Sequence, residues 1–358
     1  MDIRVKRKIT AFMTFVSVAL LTSCSMMKED RSDCPDCRNP LRIHLRYDYN
    51  TQRADMFSDH VEEATVYVVD PTTSAIVDMQ TACNNDSTQP LRSPSFAFNF
   101  EGLAPGNYRL YATGRSKADA AISTVTPQIA EAISKLQFTV PADAAGNVAT
   151  QRLDTLWNTL KPIDITVPEN EPTEATVPLM RLTNDLSVVV FRRDGSLDNS
   201  HERYDVSVSD ENQTLGNDNE TVTTAAMVYH PFAAWTTETT VSDGSRAGET
   251  IAERNAHYDL SLFRLLLHAD DARRNPRLII RNHATNHEIV NIDLCHYLAL
   301  ARNAYETQHY GVQEYLDREY DYRLDFGFDG EGSAETWKYM TIRINVLSWA
   351  IRIQNEDL

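Results

Sequence analysis

Apolar and polar residues alternate with a period of two along much of this chain. Leu41, Ile43, Leu45 and Tyr47 alternate with Arg42, His44, Arg46 and Asp48, so an extended segment here carries an apolar face and a charged one. That is the pattern of a half-buried strand. Val61–Val69 is rich in β-branched residues, and Pro71-Thr72-Thr73-Ser74 ends it with turn chemistry. Phe96, Phe98 and Phe100 alternate with Ala97 and Asn99, and Ala104-Pro105-Gly106-Asn107 leads into Tyr108–Tyr111 as a hairpin would. Further strands are expected at Leu186–Phe191, Tyr204–Val208, Tyr258–Leu262 and Arg277–Ile280. The clearest alternation places Tyr320, Tyr322, Leu324, Phe326 and Phe328 on one face. Near the end, Met340, Ile342, Ile344 and Val346 keep one frame while Trp349, Ile351 and Ile353 take the other, which predicts a bulge or bend near Leu347-Ser348.

Helical spacing is scarce. One short helix is expected where Thr126 can cap, Pro127 suits the first position, and Ile129, Ile133 and Leu136 share a face. A second, Ile292–Arg302, opens at Asp293 and is expected on the surface. Many short strands separated by turns indicate an all-β protein of two sandwiches. Pro162, Pro168, Pro172 and the run Glu169-Asn170-Glu171 punctuate the middle of the chain, so the boundary is expected near Thr159. The N-terminal domain is then 40–158 and the C-terminal domain 159–358.

The first 39 residues read differently. Arg4, Lys6, Arg7 and Lys8 precede an apolar run of about 13 residues, Ile9 to Leu21, which is too short to cross a bilayer but fits the apolar region of a signal peptide. Leu21-Thr22-Ser23-Cys24 follows and looks like a bacterial lipobox, with cleavage between Ser23 and Cys24 and lipid on Cys24. A plain secretory peptide would more usually end in an Ala-x-Ala-like site and has no need of the cysteine. Acyl chains contribute roughly 0.8 kcal/mol per buried CH2, and two or more give stable attachment. Residues 1–23 are thus read as a lipoprotein signal peptide, and 24–39 as a tether that could reach roughly 50 Å at about 3.3 Å per residue.

Charge narrows the partners. Loss of 1–23 removes four basic residues and Asp2, taking the net charge from -17 to -20, which argues against nucleic acid or anionic lipid as the main partner. Besides Cys24, the cysteines are Cys34, Cys37, Cys83 and Cys295. Cys34-Pro35-Asp36-Cys37 has no second CxxC or clustered His for zinc and lacks a thioredoxin-like βαβ setting. A local disulfide between Cys34 and Cys37, or two free thiols, are its two readings. Cys83 and Cys295 are expected to fall in different domains. His283 and His287 are four apart, yet "RLIIRNHATNHEIVNIDL" reads as strand, turn, strand with no HExxH. Ser245 lacks a GxSxG elbow, and glycine-rich phosphate loops are absent. No enzyme, metal or cofactor is indicated.

Several stretches, in order, resemble the FimB-like fimbrium-anchoring lipoproteins of Bacteroidales, the fimbrillin-A-associated anchor proteins. They are Ser32-Asp33-Cys34-Pro35 after the lipobox, "LRIHLRYDYN" with its Tyr47-Asp48-Tyr49-Asn50, Asp55-Met56-Phe57 with "VEEATVYVVD", and "GLAPGNYRLYATG". "LMRLTNDLSVVV", "QEYLDRE" (Gln313–Glu319) and "INVLSWAIRIQN" continue the series. The resemblance implies two transthyretin-like Greek-key β-sandwich domains in tandem. It also implies a lipid-anchored outer-membrane subunit that holds a surface fimbrium, bears on its length, and binds the first pilin by β-strand addition. Lys28-Glu29-Asp30 resembles the acidic signal that sends such lipoproteins to the outer leaflet. In QEYLDRE, Asp317, Arg318 and Glu319 are read as an ion pair fixing a turn, with a partner-binding patch as the alternative. Trp349 is read as core. The alternative to a fimbrial anchor is a lipid-anchored adhesin or glycan-binding protein. Metabolic labelling with a palmitate analogue should mark the protein, and Cys24→Ala should abolish the label; labelling that survives the substitution refutes the lipobox.

Overall fold

The computed structural model describes residues 40–354 apart from 117–120, 143–150, 170, 194–198, 224–225, 243–249 and 345–346; at 223, 240–242, 250–253, 344 and 347–354 the backbone alone is described. Cys24 with Ser23, Cys34, Cys37 and Ser245 all lie outside the described residues, as does the side chain of Trp349. No described helix is long and apolar enough to cross a membrane.

The protein is all-β. Its first half contributes β1 (Leu41–Arg46), β2 (Glu63–Val69), β3 (Ile76–Cys83), β4 (Phe98–Phe100), β5 (Gly106–Arg115), β6 (Ser123–Val125), β7 (Gln137–Thr139), β8 (Leu156–Thr159), β9 (Ile163–Val167) and β10 (Thr173–Arg181). Eight of these form one sheet in the order β3-β2-β5-β8-β10-β1-β4, with β9 paired to β5. The expected alternation of β1 holds, since Leu41, Ile43 and Leu45 are buried. They join Val66, Val68, Phe100, Leu110 and Val177 in one core, where Tyr47 meets Trp157 edge to face at 5.7 Å. Gly114 makes room for this packing, because a Cβ there would come within 3.1 Å of Val61 Cγ1.

The remaining strands are β11 (Thr183–Arg192), β12 (Tyr204–Asp210), β13 (Thr214–Gly216), β14 (Thr221–Thr223), β15 (Met227–Tyr229), β16 (Ala233–Ser242), β17 (Thr250–Phe263), β18 (Arg277–Asn282), β19 (Glu288–Asp293), β20 (Asp321–Asp329), β21 (Thr336–Ile344) and β22 (Leu347–Gln354). A six-stranded sheet, β16-β17-β11-β20-β21-β22, and a four-stranded sheet, β15-β12-β18-β19, share a second core. Across it, Tyr204 of β12 meets Phe328 of β20 edge to face at 5.3 Å. The fourth sheet, β14-β13-β7-β6, draws on both halves: Phe138 of β7 pairs with Leu215 of β13, flanked by Thr139 with Thr214 and Gln137 with Gly216. The second core accordingly includes Tyr67, Val69, Ile76 and Tyr111 from the first half. This explains why β2 is buried on both faces over its last residues and carries no clean alternation there.

Four expectations are corrected. The boundary near Thr159 falls inside the first sheet, because β10 pairs with β1 in parallel and β9 pairs with β5. The prolines of 162–178 punctuate turns and one strand of that sheet rather than a linker, and the chain leaves the sheet only after Arg181. The helix expected from Thr126 is absent apart from a single 3-10 turn, Ile133–Lys135. Its backbone is taken by the start of β3, where Ala130 N–H donates to Ile76 O and Ile76 N–H to Glu131 O, and Ala130 adopts φ +69. Asp293 does cap a helix, accepting from His296 N–H, but Ile292 remains in β19 and the helix is Leu294–Ala299. Leu294, Cys295 and Leu298 are buried, so it belongs to the core rather than the surface. The frame change near Leu347 is a reversal of the chain, with β22 antiparallel to β21 and Leu347 opposite Ile344.

Phe138 is fully buried, so Phe138→Ala should cost about 3–5 kcal/mol. Because this ring belongs to the core shared by both halves, urea denaturation followed by fluorescence and circular dichroism should show one transition shifted, not two transitions separated.

Candidate functional site

The described residues with spacings or side chains suited to catalysis do not converge. His283 and His287 lie in the turn between β18 and β19: the first sits 3.0 Å from the exposed Asp205, and the second has Nε2 3.0 Å from Glu335 O. Among the described residues no group of three or more His, Cys, Asp or Glu side chains could hold a metal ion. Cys295 is a buried free thiol donating to Leu266 O, while Cys83 ends β3, half-buried, beside Glu63. Glu335 is a wholly buried carboxylate with both oxygens occupied: Arg192 Nη1 and Tyr204 Oη donate to its Oε1, and Asn282 Nδ2 to its Oε2. A carboxylate so occupied is a structural tie between strand ends.

QEYLDRE proves to be a helix, Val312–Arg318, and its next residue. Asp317 accepts a two-pronged pair from Arg264 Nε and Nη2 at 2.7 and 2.8 Å, and Gln313 bridges Asp317 to Leu265 O and Leu267 N. Arg318 lies over the rings of Tyr49, 3.9 Å, and Tyr310, 4.5 Å. Glu319 accepts from Thr51 Oγ1 at 2.9 Å and from Tyr320 and Asp321 N–H. Arg53 covers Tyr305, whose ring also stacks in parallel with His309 and meets Tyr310 edge to face at 6.0 Å. The loop after β1 is thereby clasped onto the helices before β20. Burial, with Asp317 nearby, pushes Tyr49 up to about 12, which keeps its hydroxyl protonated. The ion-pair reading of the motif therefore describes what it does here. An unread capping box, Asn303 with Glu306, starts the helix Ala304–His309 beside it.

Among the described residues, what remains open are strand edges. β4, β6, β14 and β15 are three residues each, and β19 runs directly into a helix. The start of β3 is covered by residues 130–132. β16 differs, for among the described strands its ten residues pair with β17 alone. It contains no Pro or Gly and one charged residue, Glu238, and Ala234, Trp235, Glu238 and Thr239 are exposed. Trp235 stacks on its cross-strand partner His257, centroids 5.0 Å apart and planes within 5°. His257 covers the ring face turned toward the sheet, so the opposite face looks past the open edge. Burial, reinforced by Arg323, lowers the His257 pKa, which keeps the stacked imidazole neutral. β22, of eight residues, is the edge at the other end of the same sheet. β16 is not legible in the sequence, because Ala-Ala-Trp-Thr-Thr-Glu-Thr-Thr offers no apolar alternation; its threonines are the available signal.

An all-β body with ionic ties at its strand junctions and long open edges is the class this geometry defines. The chain belongs to the family of fimbrillin-A associated anchor proteins Mfa1 and Mfa2, whose model matches residues 31–355. Among solved structures it is similar to a candidate adhesin from Bacteroides thetaiotaomicron VPI-5482, at 23% identity and TM-score 0.72, over 90% of this chain and 100% of that one. It is similar to a candidate polysaccharide-binding protein from the same organism, at 23% identity and TM-score 0.68, over 88% and 98%. It also resembles the fimbrial anchor protein Mfa2 from Porphyromonas gingivalis, at 14% identity and TM-score 0.60, over 87% and 99%. No curated protein matches.

Burial raises the pKa of Glu319 above its ordinary value of 4.5. A carboxyl whose folded pKa is raised binds its proton more tightly in the folded state, so its stabilising contribution is lost as pH rises from 4.5 through the folded value. Glutamine can keep all three contacts with the Thr51 hydroxyl reversed. Glu319→Gln should therefore gain in melting temperature relative to wild type as pH is raised from about 4.5 to 8; a difference that is flat with pH contradicts the assignment.

Proposed function

We propose that this protein is a lipid-anchored outer-membrane subunit that anchors a surface fimbrium and takes its first pilin by β-strand addition at the free edge of β16. Membership of the anchor-protein family carries the reading. Three physical features support it. Cys24 and the segment 24–39 supply a lipid site and a tether in the sequence. An edge of ten residues with a single charge leaves a row of backbone donors and acceptors for another strand. The outward ring face of Trp235 gives an incoming strand one aromatic contact, of the kind worth roughly 0.2–1 kcal/mol in a cross-strand pair. The partners are pilin subunits and, through the lipid, the membrane. The protein acts by binding and not by catalysis, and it is expected to face the cell exterior.

Photo-crosslinking in intact cells tests the contact. Benzoylphenylalanine at Thr239 should capture a pilin-sized partner, while the same probe at Val77 on the partly covered β3 should not. Capture from Gln354 instead would move the contact to β22 and overturn the choice of edge. Failure of any pilin to crosslink or co-purify would overturn the anchor reading itself.

A further inference from the structure

The face of the first sheet that meets the second core is only partly covered by the described residues. Along β2 the residues on this face run Glu63, Thr65, Tyr67 and Val69. The last two belong to the shared core, while half-buried Glu63 and Thr65, which is 8% exposed, line the floor of a groove of about 660 Å³. Thr113 and Arg115 of β5 extend this floor, since Thr65 pairs with Thr113 and Glu63 with Arg115. The facing wall is the stretch Ala121–Thr126, which contains β6.

The chemistry of the groove is narrow. Hydroxyl groups dominate its surface, and several are already linked: Thr65 Oγ1 lies 2.8 Å from Thr81 Oγ1, the Tyr67 hydroxyl contacts Thr113 and Thr126, and Arg115 donates to Thr124 Oγ1. A hydroxyl both donates and accepts, so such an array matches a ligand whose own groups do the same. Among the described lining residues the single guanidinium, Arg115, stands opposite the single carboxylate, Glu63, so their charges balance. Tyr67 and Ile122 are each 1% exposed, so no apolar ring face is offered either. The volume lies within the range of small-molecule sites.

We propose that this groove, built from β2, β5 and the β6 wall, binds a neutral saccharide, held edge-on by hydrogen bonds to Thr65, Thr113, Ser123 and Glu63. The site lies on the first half and is independent of the β16 edge, so a protein that docks a pilin there can hold a sugar here.

The test uses the full chain in a detergent without a sugar headgroup, with saturation-transfer NMR against maltose, cellobiose, lactose and chitobiose, and glucuronate as the anionic comparison. At least one neutral disaccharide should show transfer. Thr65→Val with Thr113→Val, which preserves side-chain shape on the strands, should weaken that binding by about tenfold or more, as expected when hydrogen-bond partners are removed from a polar site. Glu63→Gln, a second variant with no packing change, should also weaken it. Absence of transfer to every neutral disaccharide, transfer to glucuronate alone, or undiminished binding in both variants would overturn the proposal. Crosslinking from Thr239 should be the same in these variants, which separates failure of the groove from failure of the anchor reading.

Discussion

The three-residue ladder between β7 and β13 is the constraint on which the rest of the structure depends. It consists of backbone hydrogen bonds between the two halves, and its central pair, Phe138 with Leu215, stands in the core that both halves share. Pulling the halves apart would break the ladder and expose fully buried side chains in the same step. A ladder loaded along its strands resists as several bonds at once, whereas side-chain contacts yield singly. Asn158 and Asn219 reinforce the joint, with Asn158 Nδ2 donating to Asn219 Oδ1 and Asn219 Nδ2 to Thr159 O. Under the anchoring reading, a tether entering at residue 40 and a partner held at β16 place the load across this joint.

The clasp around Arg318 answers a second need. The loop after β1 has to leave the first sheet and return to β2, and Arg53 within it holds φ +54, a conformation that costs energy for a residue with a side chain. Contacts of Thr51, Tyr49 and Arg53 to the helices before β20 determine that loop. The buried Arg192–Glu335 pair is of the same kind. Buried ion pairs add little net stability, because desolvation offsets attraction, but removing one partner leaves a charge stranded at a cost of about 3–5 kcal/mol.

Residues whose environment is set along one strand were legible in the sequence: Leu41, Ile43 and Leu45 of β1, and Tyr322, Leu324, Phe326 and Phe328 of β20, each repeat with the pleat. Residues whose environment is set by another part of the chain were not. The Thr126–Leu136 stretch has helical spacing, but β3 claims its backbone. The prolines at 162–178 look like a linker until β10 is seen beside β1. Tyr47–Asn50 and Gln313–Glu319 both carried the family resemblance, and nothing in either segment indicates that Tyr49 lies against Arg318. Of the candidate contact site, neither β16 nor the Trp235–His257 pair was anticipated, since a strand made of threonine and alanine presents no apolar face to count.

An open edge of this length is ordinarily a hazard, because two copies can zip together through it. Lysines, prolines or bulges would guard it, and β16 has none of these; only Glu238, already paired with Arg254, interrupts its neutrality. The guard is supplied elsewhere. A chain with a net charge of -17, more negative still if the first 23 residues are removed, repels its own copies over distances comparable with the Debye length. A partner strand of opposite or neutral charge meets no such barrier. Under the strand-addition proposal, the acidity that argues against nucleic acid has a direct use: it keeps the β16 edge unpaired by like molecules and available to a different one.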